Sequence, residues 1–420
     1  MNIVYAMGIG FILDCFLGDP HSLPHPVRWM GRLISFLTHH LHGGQEEERT
    51  ACRQGGGAYK KNPRAEFWRG ALMVVIVLAV TGGAVCLLRY LMYGLSAAAG
   101  IITDGILFYY AIAPKSLYLE SMAVCRALAS PGKEAESGPD LGEARRRLSM
   151  IVGRDTERLT EAGIIRAAVE TVAENTSDGV TAPMLYMAAG GPVLCFLYKA
   201  VNTMDSMVGY HNETFEYFGR AAARTDDIWN YIPARLTAFV MLLTVFFPAP
   251  AGGGMLRGTD RRAKRSRKPY CQKGLQCTAS GNETKKTEKI KNILKKAKSI
   301  YNFDAKNCMN NSDNSRNIVR RQKKYAGQNI KQVLFIYRRD RGKHKSPNSA
   351  QTESVCAGIL GIRLAGDASY FGRTVQKPYI GDDLRPPCRQ DILWANALMY
   401  ETALIMMALL AICRLLVVNW

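Results

Sequence analysis

Paired cysteine motifs are missing from this sequence. Its 11 cysteines are scattered, and the nearest two, Cys271 and Cys277, have no histidine pair close by. That spacing argues against a zinc site and, with no disulfide framework, reads as reduced thiols of a cytosol-facing protein. The G-x-x-x-x-G-K-S/T phosphate loop, the H-E-x-x-H zinc helix and the G-x-S-x-G nucleophile elbow are also missing. Chemistry that depends on those signatures is excluded with them. The first apolar run has no basic segment before it and no small-residue cleavage pattern, so it reads as retained rather than as a signal peptide. Acidic charge is scarce: 35 Asp and Glu stand against 55 Lys and Arg, for a net charge of +20.

What is present is unevenly distributed. Residues 257–331 hold 22 Lys and Arg against 5 Asp and Glu, so +17 of the +20 lies there and the remaining chain, at +3, is nearly neutral. A mean hydropathy of -0.08 therefore averages two unlike parts. The basic block is rich in Lys, Asn and Ser and poor in large apolar residues, and reads as a disordered insertion. No aromatic interleaving or nucleic-acid module accompanies it, so a solvated insertion is favoured over nucleic acid or acidic lipid as its partner. Its charge places it on the cytoplasmic side of a membrane.

Outside that block, residues 71–88 (ALMVVIVLAVTGGAVCLL) and 236–256 (LTAFVMLLTVFFPAPAGGGML) carry no charge and are long enough to cross a bilayer. Softer candidates are 1–13, 101–113, 180–198 and 395–413. The expected fold is all-α, a polytopic integral membrane protein with cytosol-facing helical and loop regions. Between the spans, residues 14–69 read as an extended, turn-rich loop because their prolines interrupt a helix. Residues 140–176 read as two helical pieces, the second running into the apolar segment from Val180.

Dense polar clusters border these spans. Asp14, Asp19, His21, His25 and Arg28 combine carboxylates suited to Mg²⁺ with cations suited to phosphate, although a proline-braced surface turn explains the spacing equally well. In ETVAENTSDGVTAP, Glu170, Glu174 and Asp178 stand four apart around Asn175 and offer oxygen ligands, as solvated helix faces also do. In KAVNTMDSMVGY, Lys199, Asn202, Asp205 and Ser206 form a stripe opposite Val201, Met204 and Val208. A polar stripe beside an apolar run faces a cavity or lies wet on the membrane surface. RTDDIWNYIPARL adds Asp226, Asp227, Asn230 and Arg235. RDRGKHKSPNS adds Arg341, Lys343, His344, Lys345, Ser346 and Asn348, a group suited to a polyphosphate.

These stretches, with DCFLGDPHSLPHPVRWMG, RLSMIVGRDT and YFGRTVQKPYIGD, follow one another in an order that resembles the CbiB/CobD family of cobalamin biosynthesis, the adenosylcobinamide-phosphate synthases. The resemblance implies a multi-pass protein of the inner membrane with a cytosolic active site. It also implies ATP-dependent amide formation between adenosylcobyric acid and 1-aminopropan-2-ol or its O-phosphate, with Mg²⁺, a corrinoid substrate and other cobalamin-assembly enzymes as partners. Matched onto this sequence by chemical type, Glu174, Asp178, Asp205 and Lys199 become catalytic candidates, and Asp14, Asp19, Asp226 and Asp227 metal candidates. His25, Arg28, Arg154, Asn175, Asn202, Ser206, Asn230, Arg341, His344, Ser346 and Asn348 become substrate or nucleotide contacts. The expected organisation is a first membrane-embedded part at 1–256, the insertion at 257–332, and a C-terminal part at 333–420 with a final membrane helix. Family members pass quickly from the ARLTA stretch to a KHPSPN-type motif, whereas here the insertion intervenes and Lys345 replaces the proline. A copy of the synthase disabled by that insertion, and a small-solute transporter, are the rival readings.

Overall fold

The computed structural model describes residues 2–19, 25–42, 62–129, 140–209, 215–246, 330–370 and 372–418. The expected disorder of the insertion, apart from its last three positions, and the candidate His21 lie outside the described residues. The first helices are α1 (Asn2–Leu17), α2 (Pro26–Leu41), α3 (Pro63–Leu95), α4 (Ala97–Ala111), α5 (Pro114–Ala129), α6 (Leu141–Ser149) and α7 (Glu161–Asn175). A π-helical turn at Thr176–Thr181 joins α7 to α8 (Ala182–Val208), and α9 (Arg220–Thr244) follows. Beyond the basic block come α10 (Ile330–Asp340), α11 (Ser349–Leu360), four short strands and α12 (Gln390–Val418). The protein is an all-α polytopic membrane protein. Four helical stretches, Pro63–Leu95, Ala97–Ala129, Glu161–Val208 and Gln390–Val417, are long and apolar enough to span a bilayer.

One expectation needs correction, and a second is described only in part. Residues 14–69 are not one extended loop, because α2 occupies Pro26–Leu41. Proline at the first helical position costs no hydrogen bond, and Nδ1 of His25 accepts the Val27 N–H at 3.2 Å as the N-cap. The prolines of this stretch start a helix rather than prevent one. The apolar run expected to span at 236–256 is described only in part: α9 carries it to Thr244, a turn follows to Phe246, and the rest lies outside the described residues.

Helix α3 leaves Val75, Leu87, Leu91 and Leu95 exposed, and α12 does the same with Leu404, Leu409, Ile412 and Leu416. Apolar outer faces of this kind suit hydrocarbon, where every backbone group must be bonded within its own helix. Helix α1 lies close against α4, where a Cβ on Gly10 would meet the Gly105 carbonyl oxygen at 2.7 Å. Small residues permit that backbone approach, and dispersion then holds the pair. Helix α8 occupies the centre, packed on α2, α3, α4, α9 and α12, with Phe196, Tyr198 and Met204 buried. It is broken at Gly190 and Gly191, the latter at φ 66°, just before Pro192.

The strands are β1 (Leu364–Ala365), β2 (Ala368–Tyr370), β3 (Arg373–Val375) and β4 (Tyr379–Ile380). Leu364 pairs antiparallel with Ile380, and Ala368 with Val375. Asp155 fixes this ribbon to the α6–α7 loop: its N–H donates to Ser369 O at 2.9 Å, and its carboxylate accepts from Ser369 Oγ at 2.6 Å and Gly372 N at 2.8 Å. The GRDT and YFGRTV stretches, far apart in sequence, thus meet.

Candidate active site where the membrane helices meet the C-terminal motif

The π turn inserts an extra residue into the helical path between α7 and α8, which re-aims the side chains it carries. Asp178 sits on that turn, within electrostatic reach of Asp226 on α9, Glu174 on α7 and Asp205 on α8. Buried Tyr198 ties the junction together, donating to Asp178 O at 3.1 Å and Asn230 Oδ1 at 2.8 Å. Asn230 in turn donates to both Asp226 oxygens at 3.0 Å. Burial, with Asp205 and Asp227 adding like charge, pushes Asp226 up to about 7 against the opposing pull of Asn230. On the other side, half-buried Lys199 lies within electrostatic reach of Asp178 and Asp19. His25, 3.7 Å from Asp19, completes that edge, with Tyr110 against its ring edge-on.

The C-terminal motif docks onto the same junction. Ser346 Oγ donates to Asp227 Oδ1 at 3.1 Å, Asn348 Nδ2 to Asp227 O at 2.9 Å, and Arg235 to Asn348 Oδ1 at 3.2 Å. Ser349 Oγ donates to Glu174 Oε1 at 2.8 Å. His344 Nδ1 accepts the Ser346 N–H at 3.1 Å, so its neutral ring carries the proton on Nε2. Burial lowers the His344 pKa, while neighbouring Glu174 pulls the other way.

A family model described as CobD/Cbib protein matches residues 7–399. The chain belongs to the CobD/Cbib family. It is 35% identical over 407 residues to the cobalamin biosynthesis protein CobD of Clostridium perfringens, covering 97% of this chain and 96% of the relative. The protein of the same name from Geobacter metallireducens is 35% identical over 375 residues, at 89% and 85% coverage, and that from Klebsiella pneumoniae 32% over 404, at 96% and 95%. No solved structure matches the chain.

In this CobD/Cbib chain the candidate residues divide by location. Asp178, Asp205, Asp226, Asn202 and Asn230 converge at the junction. Asp227, Ser346 and Asn348 join them through the docked motif. Asp19, His25, Arg28 and Lys199 form one electrostatic neighbourhood beside them. Asp14 has a helix-capping position, its Oδ2 accepting the Lys115 N–H at 3.0 Å in the first turn of α5. Arg154 is ion-paired with Glu170, whose Oε1 also accepts Ala365 N–H at 2.7 Å. Arg341 is exposed on the ring of Tyr337, and Lys343 pairs with Asp340 at 2.6 Å. Ser206 is exposed, its hydroxyl donating to Asn202 O at 2.8 Å, while Asn175 donates to Thr171 O at 2.9 Å.

The residue missed in the sequence is Glu353. It lies one helical turn after Ser349 on α11, 5% exposed, and its Oε2 has no hydrogen-bond partner. The signal was present as Ser349 and Glu353 four apart, which share a helix face.

Among the described residues, no group of three His, Cys, Asp or Glu side chains is arranged as a ready-made metal cage. The donor chemistry still suits Mg²⁺ in its usual form, a hard ion bound by one or two carboxylates and completed by phosphate oxygens and water. Asp178, Asp205 and Asp226 crowd like charge together, which a bound cation would relieve.

Proposed function

We propose that this chain acts in cobalamin biosynthesis as an ATP-dependent amide synthase. It joins a carboxylate of adenosylcobyric acid to the amine of 1-aminopropan-2-ol or its O-phosphate. One observation carries the reading: carboxylates from α8, α9 and the π turn converge, and a cationic, hydroxyl-bearing motif from the far end of the chain docks on them. Family membership across most of the chain supports the pathway, and lends no support to the transporter alternative.

A carboxylate is a poor electrophile at neutral pH and must be activated. Its oxygen attacks the γ-phosphorus of ATP, ADP leaves, and an acyl phosphate forms; the amine nitrogen then attacks the acyl carbon and phosphate leaves. One or two of Asp178, Asp226 and Asp205 would hold Mg²⁺, which when bound would offset phosphate charge. Lys199 and Arg28 lie beside them as counter-charges for phosphate or the substrate carboxylate. Asn202 and Asn230 hold the carboxylates in register. Arg28, Arg341, Lys343 and Lys345 near the site favour a cytosolic orientation by the positive-inside tendency, in an inner membrane.

Membranes carrying the chain are assayed with adenosylcobyric acid, ATP, Mg²⁺ and each amine. The expected result is a corrinoid amide formed only with ATP, and its loss in Asp205→Ala at normal membrane abundance. Full activity in that variant removes Asp205 from the site; no amide from the parent chain under any condition rejects the synthase reading.

A further inference from the structure

The synthase reading leaves open where the amine binds and what takes its proton. An amine at neutral pH arrives as an ammonium ion, and its nitrogen has no lone pair for attack until one proton has left. The required group is a carboxylate with spare acceptor capacity, close to the carboxylate cluster yet shielded from water.

Glu353 meets those conditions. The charged groups facing it are Glu174 and Glu170 on α7, Arg154 in the α6–α7 loop and Lys377 between β3 and β4. When all three carboxyls are ionised they face two cations, and a third positive charge completes the balance. Glu174 also faces Asp178, and His344, another neighbour of Glu174, has its pKa lowered by burial. Glu170 is satisfied by Arg154 and the Ala365 N–H, and Glu174 uses one oxygen for Ser349. Lys377 donates to Tyr370 Oη at 2.6 Å. Glu353 Oε2 is left buried without a donor, an arrangement that costs more than an ordinary hydrogen bond returns and that folded proteins rarely keep without a ligand or a function.

We propose that Glu353 and Glu174 form the subsite for the ammonium group of the incoming amine, and that Glu353 receives the proton the nitrogen must lose. The inference rests on the amide-synthase reading. A primary ammonium supplies the missing charge and three N–H donors, enough for the orphaned oxygen and the second oxygen of Glu174. One N–H bond breaks, its proton goes to a Glu353 oxygen, and the electron pair left on nitrogen forms the C–N bond; as the C–O bond to phosphate breaks, a second N–H proton leaves with the departing phosphate, so the amide keeps one N–H. Burial, reinforced by Glu174 and Glu170, raises the Glu353 pKa well above the usual carboxylate range, which matches it to that exchange.

Glu353→Gln keeps the volume and removes the charge and the base. Hydroxylamine, neutral at pH 7, serves as a second acceptor that captures an acyl phosphate without needing an ammonium subsite. The parent chain is expected to form both amide and hydroxamate. The variant is expected to form hydroxamate but to lose amide formation, with the KM for the alkylamine raised about tenfold to a hundredfold and that for ATP little changed. Equal loss of both products in Glu353→Gln, or unchanged amine kinetics, overturns the subsite and leaves the synthase reading standing. A parent chain that forms neither product overturns that reading and the subsite with it.

Discussion

Asp178 and Asp340 are both acids surrounded by other groups, and their surroundings set opposite roles. Asp178 faces Asp226, Glu174 and Asp205, so like charge surrounds it on one side, with Lys199 the cation within reach on the other. Removing its charge should cost function more than fold: Asp178→Asn is expected to lower amide formation about a hundredfold or more while the chain remains at normal abundance in the membrane. Asp340 is buried among donors. Burial alone would raise its pKa, but Arg339, Lys343 and the Gly381 N–H outweigh that and hold it near 2. The folded-state value lies below the ordinary 3.8, so its contribution is complete above that value and is lost as pH falls toward about 2. Asp340→Asn should therefore lower the melting temperature in detergent near neutral pH by an amount equivalent to about 2 kcal/mol, with the difference from the parent shrinking in acid.

At the scale of elements, the apolar runs and the amphipathic pieces were legible as helices, whereas α2 and the irregularities within helices were not. The apolar run at 71–88 marked α3, and the two pieces expected in 140–176 are α6 and α7. The π turn at Thr176–Thr181 and the break at Gly190–Gly191 depend on how α7 and α8 pack against their neighbours, which local periodicity does not encode. The α3–α4 hairpin holds a buried ion pair. Arg89 donates to both oxygens of Asp104, at 2.8 and 3.1 Å, and Tyr93 Oη donates to the same carboxylate at 3.0 Å. Asp104 is fully buried, so Arg89→Leu leaves an uncompensated charge inside the membrane region and is expected to destabilise the protein by roughly 3 kcal/mol. The double variant Arg89→Leu with Asp104→Leu should recover most of the loss. Thermal melting of all four proteins measures the coupling, and additive losses would show that the pair does not act as a unit.

At the scale of the whole molecule, the basic block separates two parts of one site. Asp227 and Arg235 precede it; Ser346 and Asn348 follow it; hydrogen bonds join them across more than 100 residues of chain. Long loops add little closure cost, so the block need not keep the halves apart. Deleting residues 257–329 is accordingly expected to leave ATP-dependent amide formation within about twofold of the parent, since the loop-closure change is only about 2 kcal/mol, favours the shorter connection, and acts on stability rather than on the site. Product from the deleted form alone would mark the block as inhibitory.

The sequence by itself determined the class: apolar runs of bilayer length, a charge excess confined to one block, and polar stretches in the order of a known family. These are local properties, fixed by which residues adjoin one another. The tertiary structure alone decided which of the many acids and bases work together. Arg154, a phosphate candidate by chemical type, is ion-paired with Glu170, and Asp14, a metal candidate by type, accepts the Lys115 N–H at the start of α5. Glu353 passed unnoticed because burial and the absence of a donor are properties of the packed neighbourhood, set by α7, α11 and the β ribbon meeting in space.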